Sequence, residues 1–135
     1  MWHYKNKIFT EEEIGDAFGF VYCITNLTNN RKYIGKKFFT KSGRKQVKGK
    51  IKKIRKVSDW STYYGSNKEL QEEVKTLGEN NFHREILYLC YSKSECSYRE
   101  TEEIFKRGAL LTENYYNSWV AVKIHKGHVL NKLKD

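Results

Sequence analysis

Two short runs of strand-forming residues, 20–26 (Phe-Val-Tyr-Cys-Ile-Thr-Asn) and 32–38 (Lys-Tyr-Ile-Gly-Lys-Lys-Phe), stand on either side of Asn29-Asn30. Aromatic and β-branched residues suit a pleated surface, and paired asparagines tolerate the left-handed backbone of a tight hairpin turn. The pattern predicts a β-hairpin, and a hairpin must bury at least one face against other elements. With a two-residue loop at Asn29-Asn30, Tyr22 falls opposite Lys37 and Asn26 opposite Tyr33. Tyr22, Tyr33, Gly35 and Lys37 then share one face.

The flanking sequence supplies the covering elements. Thr10 with Glu13 reads as a capping box for a short helix through Ile14, Ala17 and Phe18, ending near Gly19. Asn67 is a candidate N-cap for a helix with Leu70, Val74 and Leu77 on one side and a stop at Gly78. Residues 82–90 alternate and end in an apolar run, which predicts a third strand. Ser92 with Glu95 is a second capping box, opening a helix to about Arg107. A last short segment at residues 119–124 precedes a basic tail at 125–135. The expected class is α+β, a three-stranded antiparallel sheet flanked by helices, in one domain over residues 1–135. A chain of this length buries roughly two thirds of its unfolded surface in a single core. No internal repeat is visible, and no proline marks a linker.

Charge narrows the partner. Lys plus Arg number 26 against 16 Asp plus Glu, a formal net charge of +10. No acidic residue lies between Asp16 and Asp59, and residues 31–57 hold 13 of the 26 basic side chains. Half the positive charge in a fifth of the chain implies a polyanion, DNA or RNA alike. A solvated basic loop is the plain alternative for this insert at about residues 40–58. The interleaved Phe38, Phe39, Val47, Ile51, Ile54 and Val57 argue that part of it packs. Lys36, Lys45, Lys48 and Arg55 are candidate phosphate contacts, with Trp60, Tyr63 and Tyr64 as candidate aromatic grips.

Other classes recede. No apolar run approaches the roughly 18 residues that span a bilayer, and the N-terminus lacks the apolar core of a signal peptide. A soluble, intracellular protein of the cytoplasm or nucleoid is expected, without a membrane partner, its oligomeric state open and a homodimer among the options. Cys23, Cys90 and Cys96 form an odd set without a Cys-x-x-Cys pair, which favours buried free thiols over a disulfide framework. His83, Cys90, Cys96, His125 and His128 match no common zinc-finger spacing.

The shared hairpin face carries a chemical possibility. A phenol near pKa 10 is a poor base at neutral pH unless a neighbouring cation lowers it. In the expected register the Lys37 ammonium reaches the Tyr22 hydroxyl and favours the phenolate, while Gly35 leaves room for a ligand. The plain alternative is that tyrosines are good strand residues, and the chain has ten.

Gly19-Phe20-Val21-Tyr22, ten further residues, then Tyr33-Ile34-Gly35 resembles the signature of the GIY-YIG nuclease family, with Phe-Val where the first motif usually reads Ile. The resemblance extends through Glu100 and Tyr116-Asn117, covering roughly residues 19–117. It implies phosphodiester hydrolysis in which Tyr22 activates the attacking water, Tyr33 supports it, and Glu100 on a helix binds magnesium or manganese. Glu100 also stands out from its neighbours. Glu102 and Glu103 have Lys106 and Arg107 four residues later and read as surface ion pairs. Glu100 has Cys96 and Ile104 at those positions, an apolar or semi-buried setting where a carboxylate needs a cation or a donor. The alternative is a glutamate at the rim of a helix interface.

Asn117 lies where the family places an asparagine that positions the phosphate, although Tyr-Tyr-Asn also reads as turn chemistry. The family arginine, on a helix after the second motif, has no clear counterpart. Arg44 is nearest by spacing, Arg55 lies in a plausible helical run at residues 50–56, and Lys36 or Lys37 are further choices. Two functions follow: a metal-dependent DNA endonuclease, or a module that uses the same hairpin and basic segment to bind nucleic acid without cutting it.

Overall fold

The computed structural model describes residues 1–120 and 122–130. In chain order its elements are β1 (Trp2–Tyr4), β2 (Lys7–Ile8), β3 (Gly19–Asn26), β4 (Lys32–Phe38), β5 (Thr40–Val47), β6 (Lys50–Val57), α1 (Lys68–Leu77), β7 (Phe82–Cys90), α2 (Lys93–Lys106) and α3 (Lys126–Val129). The class is α+β. The main sheet has five strands rather than three, in the order β2-β1-β7-β3-β4, and β5 and β6 form a separate two-stranded sheet.

The expected antiparallel trio β7-β3-β4 is the heart of the main sheet. The two extra strands come from the N-terminus, where Lys5 and Asn6 both take positive φ (51° and 66°) and turn the chain after three residues. β1 then runs parallel to β7. Trp2 fixes it there, since its ring is buried and its Nε1 donates to the Trp60 carbonyl at 2.7 Å. The helix expected after Thr10 is a single 3-10 turn at Glu11–Glu13 without a Thr10 side-chain cap. Gly15, at φ +58°, ends it.

β3 is covered on both faces, as its nearly unbroken burial requires. Phe20, Tyr22 and Ile24 enter an aromatic cluster with Trp2, Phe39, Trp60 and Leu70 of α1. Val21 and Cys23 join Ile34, Cys90, Cys96 and Ile104 beneath α2. Both major helices start as the sequence predicts, with the Asn67 and Ser92 side chains accepting from the N–H groups of Leu70 and Glu95. The three cysteines are buried and free.

The hairpin register differs from expectation by two residues. Tyr22 pairs with Gly35, Ile24 with Tyr33 and Phe20 with Lys37. The loop is four residues long because Asn26 Oδ1 accepts from the Thr28 N–H and Asn29 Oδ1 from the Arg31 N–H, two local bonds that widen the turn. An even shift keeps every side chain on its face. Tyr22, Tyr33, Gly35 and Lys37 therefore still share one, but Lys37 no longer opposes Tyr22. Between Val21 and Tyr22 the pairing with β7 also slips, a bulge that leaves Leu87 of β7 unpaired.

The basic insert is a β-ribbon, not a loop, and residues 50–56 are a strand, not a helix. Lys48 and Gly49 both take positive φ (49° and 78°), the geometry of a two-residue hairpin turn that matches strand twist. Little of the ribbon packs: Ile51 is 69% and Val57 68% exposed, while Phe39, at its base, belongs to the core. Residues 122–124 have no regular structure, and the basic tail forms the single turn α3 before residues 131–135, which with residue 121 lie outside the described residues.

Candidate active site

Where β4 forms the sheet edge, Tyr33 and Ile34 from the strand, Lys36 further along it, Ser66 and Asn67 before α1, Glu100 of α2 and Asn117 line one cavity of about 280 Å³. Three segments distant in sequence thus converge at the exposed edge of the hairpin. Asn117 holds the last of them in place. Its Oδ1 accepts from the Ile34 N–H at 3.0 Å and its Nδ2 donates to the Ile34 carbonyl at 2.9 Å, occupying both edge groups of that residue.

Tyr22 stands behind this cavity, 1% exposed. Its hydroxyl lies over Gly35, where an added Cβ would stand 2.5 Å from the Tyr22 Cζ. Its ring is 6.2 Å from that of Tyr33 and 6.1 Å from that of Tyr63, edge-on to the latter. Burial drives the Tyr22 phenol well above its ordinary pKa, and Tyr63, Tyr33 and the Glu100 carboxylate push the same way. The expected help from Lys37 is absent, because its ammonium bonds Asp59 at 2.6 Å and sits 3.9 Å over the Tyr63 ring. Tyr33 opens onto the cavity with its hydroxyl 3.0 Å from Ser66 Oγ, and burial also raises its pKa.

Glu100 projects between buried Cys96 and Ile104, as the helical spacing predicts. It does have a partner: Lys36 Nζ lies 3.6 Å from its Oε1, while donating to Ser97 Oγ at 3.0 Å. Burial pushes the Glu100 carboxyl up, and Lys36 offsets only part of this. Glu102 pairs with Arg99 rather than Lys106. Glu103 is not a surface residue. It is buried, accepts from the Tyr88 hydroxyl at 2.6 Å and from Arg107 Nε at 2.8 Å, and holds the Tyr88 phenol up at about 12.

The other candidates are dispersed. Arg44, Lys45 and Lys48 lie exposed on the ribbon, and Arg55 is tied to Thr40 and Ser42. None lines the cavity, where Lys36 is the only cation among the described lining residues. Trp60, expected to grip nucleic acid, is a core residue at 7% exposure, edge-on to Phe39 at 5.3 Å. Tyr63 and Tyr64 are half-buried, each covered by a cation, Lys37 and Arg84 respectively. Sequence reasoning missed Ser66, whose signal is Gly65 just before it: at φ +89° the glycine packs its backbone against the Tyr33 ring.

The residues present suit a hard divalent cation. Glu100 is a largely sheltered oxygen donor lining the same cavity as Tyr33 and Ser66, and among the described residues no group of three or more His, Cys, Asp or Glu gathers to form a closed cage. One carboxylate with open positions is how magnesium is commonly held before a phosphate arrives. The five-residue zinc set does not assemble among the described residues either.

Comparison with known proteins gives the family. Residues 2–120 match a family model described as "Putative endonuclease segE, GIY-YIG domain". The chain is 37% identical over 101 residues to "Putative endonuclease segE" of Enterobacteria phage T4, the match covering 74% of this chain and 40% of that protein. No solved structure matches the chain. No helix among the described residues is long and apolar enough to cross a membrane. The chain belongs to the segE-type GIY-YIG family.

Proposed function

We propose that the chain is a metal-dependent endonuclease that hydrolyses phosphodiester bonds in DNA, with Glu100 as the ligand of magnesium or manganese and Tyr22 as the general base. The observation that carries this reading is the convergence of Glu100, Tyr33, Lys36 and Asn117 on one cavity, with Tyr22 directly behind Tyr33. A divalent ion held there would supply charge stabilisation of the phosphoryl group and lower the pKa of nearby water.

The protein groups then have separable roles. Glu100 binds the cation, and its raised pKa reflects a carboxylate that burial leaves short of positive charge. Lys36 is the cation that faces the developing negative charge of the phosphate oxygens. Tyr33, held by Ser66, orients what enters the cavity. Gly35 keeps the space that the Tyr22 hydroxyl fills. Burial keeps the Tyr22 phenol neutral, so to serve as the base Tyr22 would first release its own proton to solvent, and a cation held at Glu100 would favour that phenolate. Asn117 sets the cavity wall and would help to position the phosphate.

One observation favours the binding-only alternative: no arginine lines the cavity, and its lysine is already paired with Glu100. Incubation of supercoiled plasmid with wild type, Tyr22→Phe and Glu100→Gln, in magnesium and in EDTA, separates the readings. Nicking by wild type in magnesium alone, lost in both variants, is the expected result. Binding without nicking by wild type leaves the alternative.

A further inference from the structure

The ribbon β5–β6 is unusually ill-suited to stand alone. Three of its directly opposed pairs carry like charge: Lys41 with Lys56, Arg44 with Lys53 and Lys45 with Lys52. Like charges facing each other across an antiparallel pair are destabilising, and a lone two-stranded ribbon is marginal even without them. No acidic residue lies within it, and among the described residues no ion pair engages any of its basic side chains. A polyanion converts that repulsion into attraction.

Its two faces differ. Strand alternation places Lys41, Lys45, Lys50, Lys52 and Lys56 on one face. The other carries Arg44, Gln46, Ile51 and Lys53, all exposed, with Gln46 opposite Ile51. Arg55, on this second face, is spent on Thr40 and Ser42. Lysine is a mobile point charge suited to phosphate, whereas Arg and Gln make paired hydrogen bonds to base edges and an exposed aliphatic contacts the thymine methyl. The ribbon's base is fixed. The Ser58 hydroxyl donates to the Phe38 carbonyl at 2.6 Å, the Ser58 N–H to Phe39 at 2.9 Å, and Phe39 is buried against Trp60. β4, which carries Tyr33 and Gly35, therefore runs directly into it.

We infer that the β5–β6 ribbon lies in the major groove of duplex DNA, with Arg44, Gln46 and Ile51 toward the base edges and the lysine face level with the flanking phosphates. Strands of eight residues span about 26 Å, and a two-stranded ribbon fits the roughly 12 Å width of that groove. The groove is only about 8.5 Å deep, so side chains on the outer face lie near the phosphate rim. The inference rests on DNA as the substrate and adds where the affinity and base preference come from.

The test uses the full chain in EDTA, so that binding is read apart from cleavage. Duplex binding is followed by fluorescence anisotropy between 50 and 200 mM salt for wild type, Lys45→Ala/Lys52→Ala and Arg44→Ala/Gln46→Ala. The lysine pair is expected to reduce the log–log salt slope by about two, one for each lost phosphate contact. The Arg44/Gln46 pair is expected to abolish the motif that wild type enriches from a duplex pool with a randomised segment, while keeping the wild-type salt slope to within about one. Melting temperatures should not fall, since both pairs of substitutions relieve like-charge pairs. An unchanged slope in the lysine variant, equal enrichment by wild type and the Arg44/Gln46 variant, or equally tight binding of single strands overturns the inference. Plasmid nicking in magnesium by wild type, unaltered in both variants at every salt concentration, overturns it too and leaves the endonuclease standing. Binding that behaves as expected without any nicking upholds the ribbon and removes the endonuclease.

Discussion

The Tyr22 hydroxyl rests against the backbone of Gly35, its cross-strand partner, and fills the space in which any other residue would place its Cβ. The two motif positions are thus a single packing unit, a ring on one strand and a vacancy on the next. Gly35→Ala must displace the tyrosine, because the added methyl meets an aromatic carbon at 2.5 Å and neither backbone can yield cheaply inside a sheet. Overpacking of this kind costs about 1–3 kcal/mol. Urea denaturation should show that loss, and nicking per folded molecule should fall further than the loss of folded protein explains.

Glu100→Gln separates function from stability. Burial raises the folded-state pKa of Glu100 above its unfolded value, so the charged form is disfavoured in the folded chain. Its contribution to stability is therefore complete below the ordinary carboxylate range and lost as pH rises through the raised value. At neutral pH and without metal, the glutamine variant should melt no lower than wild type, and the two curves should converge in acid. Magnesium should raise the melting temperature of wild type only. A variant that melts lower in EDTA would mean that the Lys36 pair outweighs the burial.

Asn117 replaces a neighbouring strand at the edge of β4 through two bonds to one residue. Asn117→Ala leaves the Ile34 N–H and carbonyl without these partners, at a cost of about 1–3 kcal/mol. If positioning the phosphate is also its task, the KM for a short duplex should rise beyond what the lost stability accounts for. Unchanged kinetics on the folded fraction would confine Asn117 to the wall of the cavity.

Trp60 lies close to Phe39 and Phe9 and accepts the Trp2 indole bond through its carbonyl, so its ring is structural. Trp60→Ala should cost about 3–5 kcal/mol of stability. DNA affinity of the folded fraction should be unaltered, measured at a temperature where the variant remains folded.

These residues mark where the sequence was legible. The shared face of Tyr22, Tyr33 and Gly35 follows from a period of two, which survives any even error in loop length. The loop length itself depends on side-chain bonds from Asn26 and Asn29, which residue type alone does not decide. Glu100 follows from the family resemblance, with Cys96 and Ile104 flanking it on the helix as support; its pairing with Lys36 is not legible because that contact spans 64 positions. Ile51, Ile54 and Val57 recur at a helical interval although they lie on a strand, and the positive-φ turn at Lys48 and Gly49 was the overlooked signal. Strands of three and two residues at the N-terminus carry too few side chains to show any period. Buried Glu103 reads as surface charge in the sequence because the i, i+4 arginine is real but its second partner, Tyr88, comes from another element.

Tyr63 offers the sharpest probe of Tyr22. Burial is the main reason the Tyr22 phenol titrates so high, and the neighbouring Tyr63 pushes the same way. Tyr63→Phe removes the Tyr63 hydroxyl while keeping the ring that Lys37 covers and that Tyr22 meets edge-on. The Tyr22 pKa should therefore fall, though burial keeps it above the ordinary value. If cleavage requires Tyr22 to take up a proton, the alkaline rise in nicking rate should move to lower pH in Tyr63→Phe and be absent in Tyr22→Phe. A single-turnover pH profile in saturating magnesium reads this directly. The same rise at the same pH in wild type and Tyr63→Phe would assign the titrating group elsewhere and leave Tyr22 as the ring that shapes the cavity from behind.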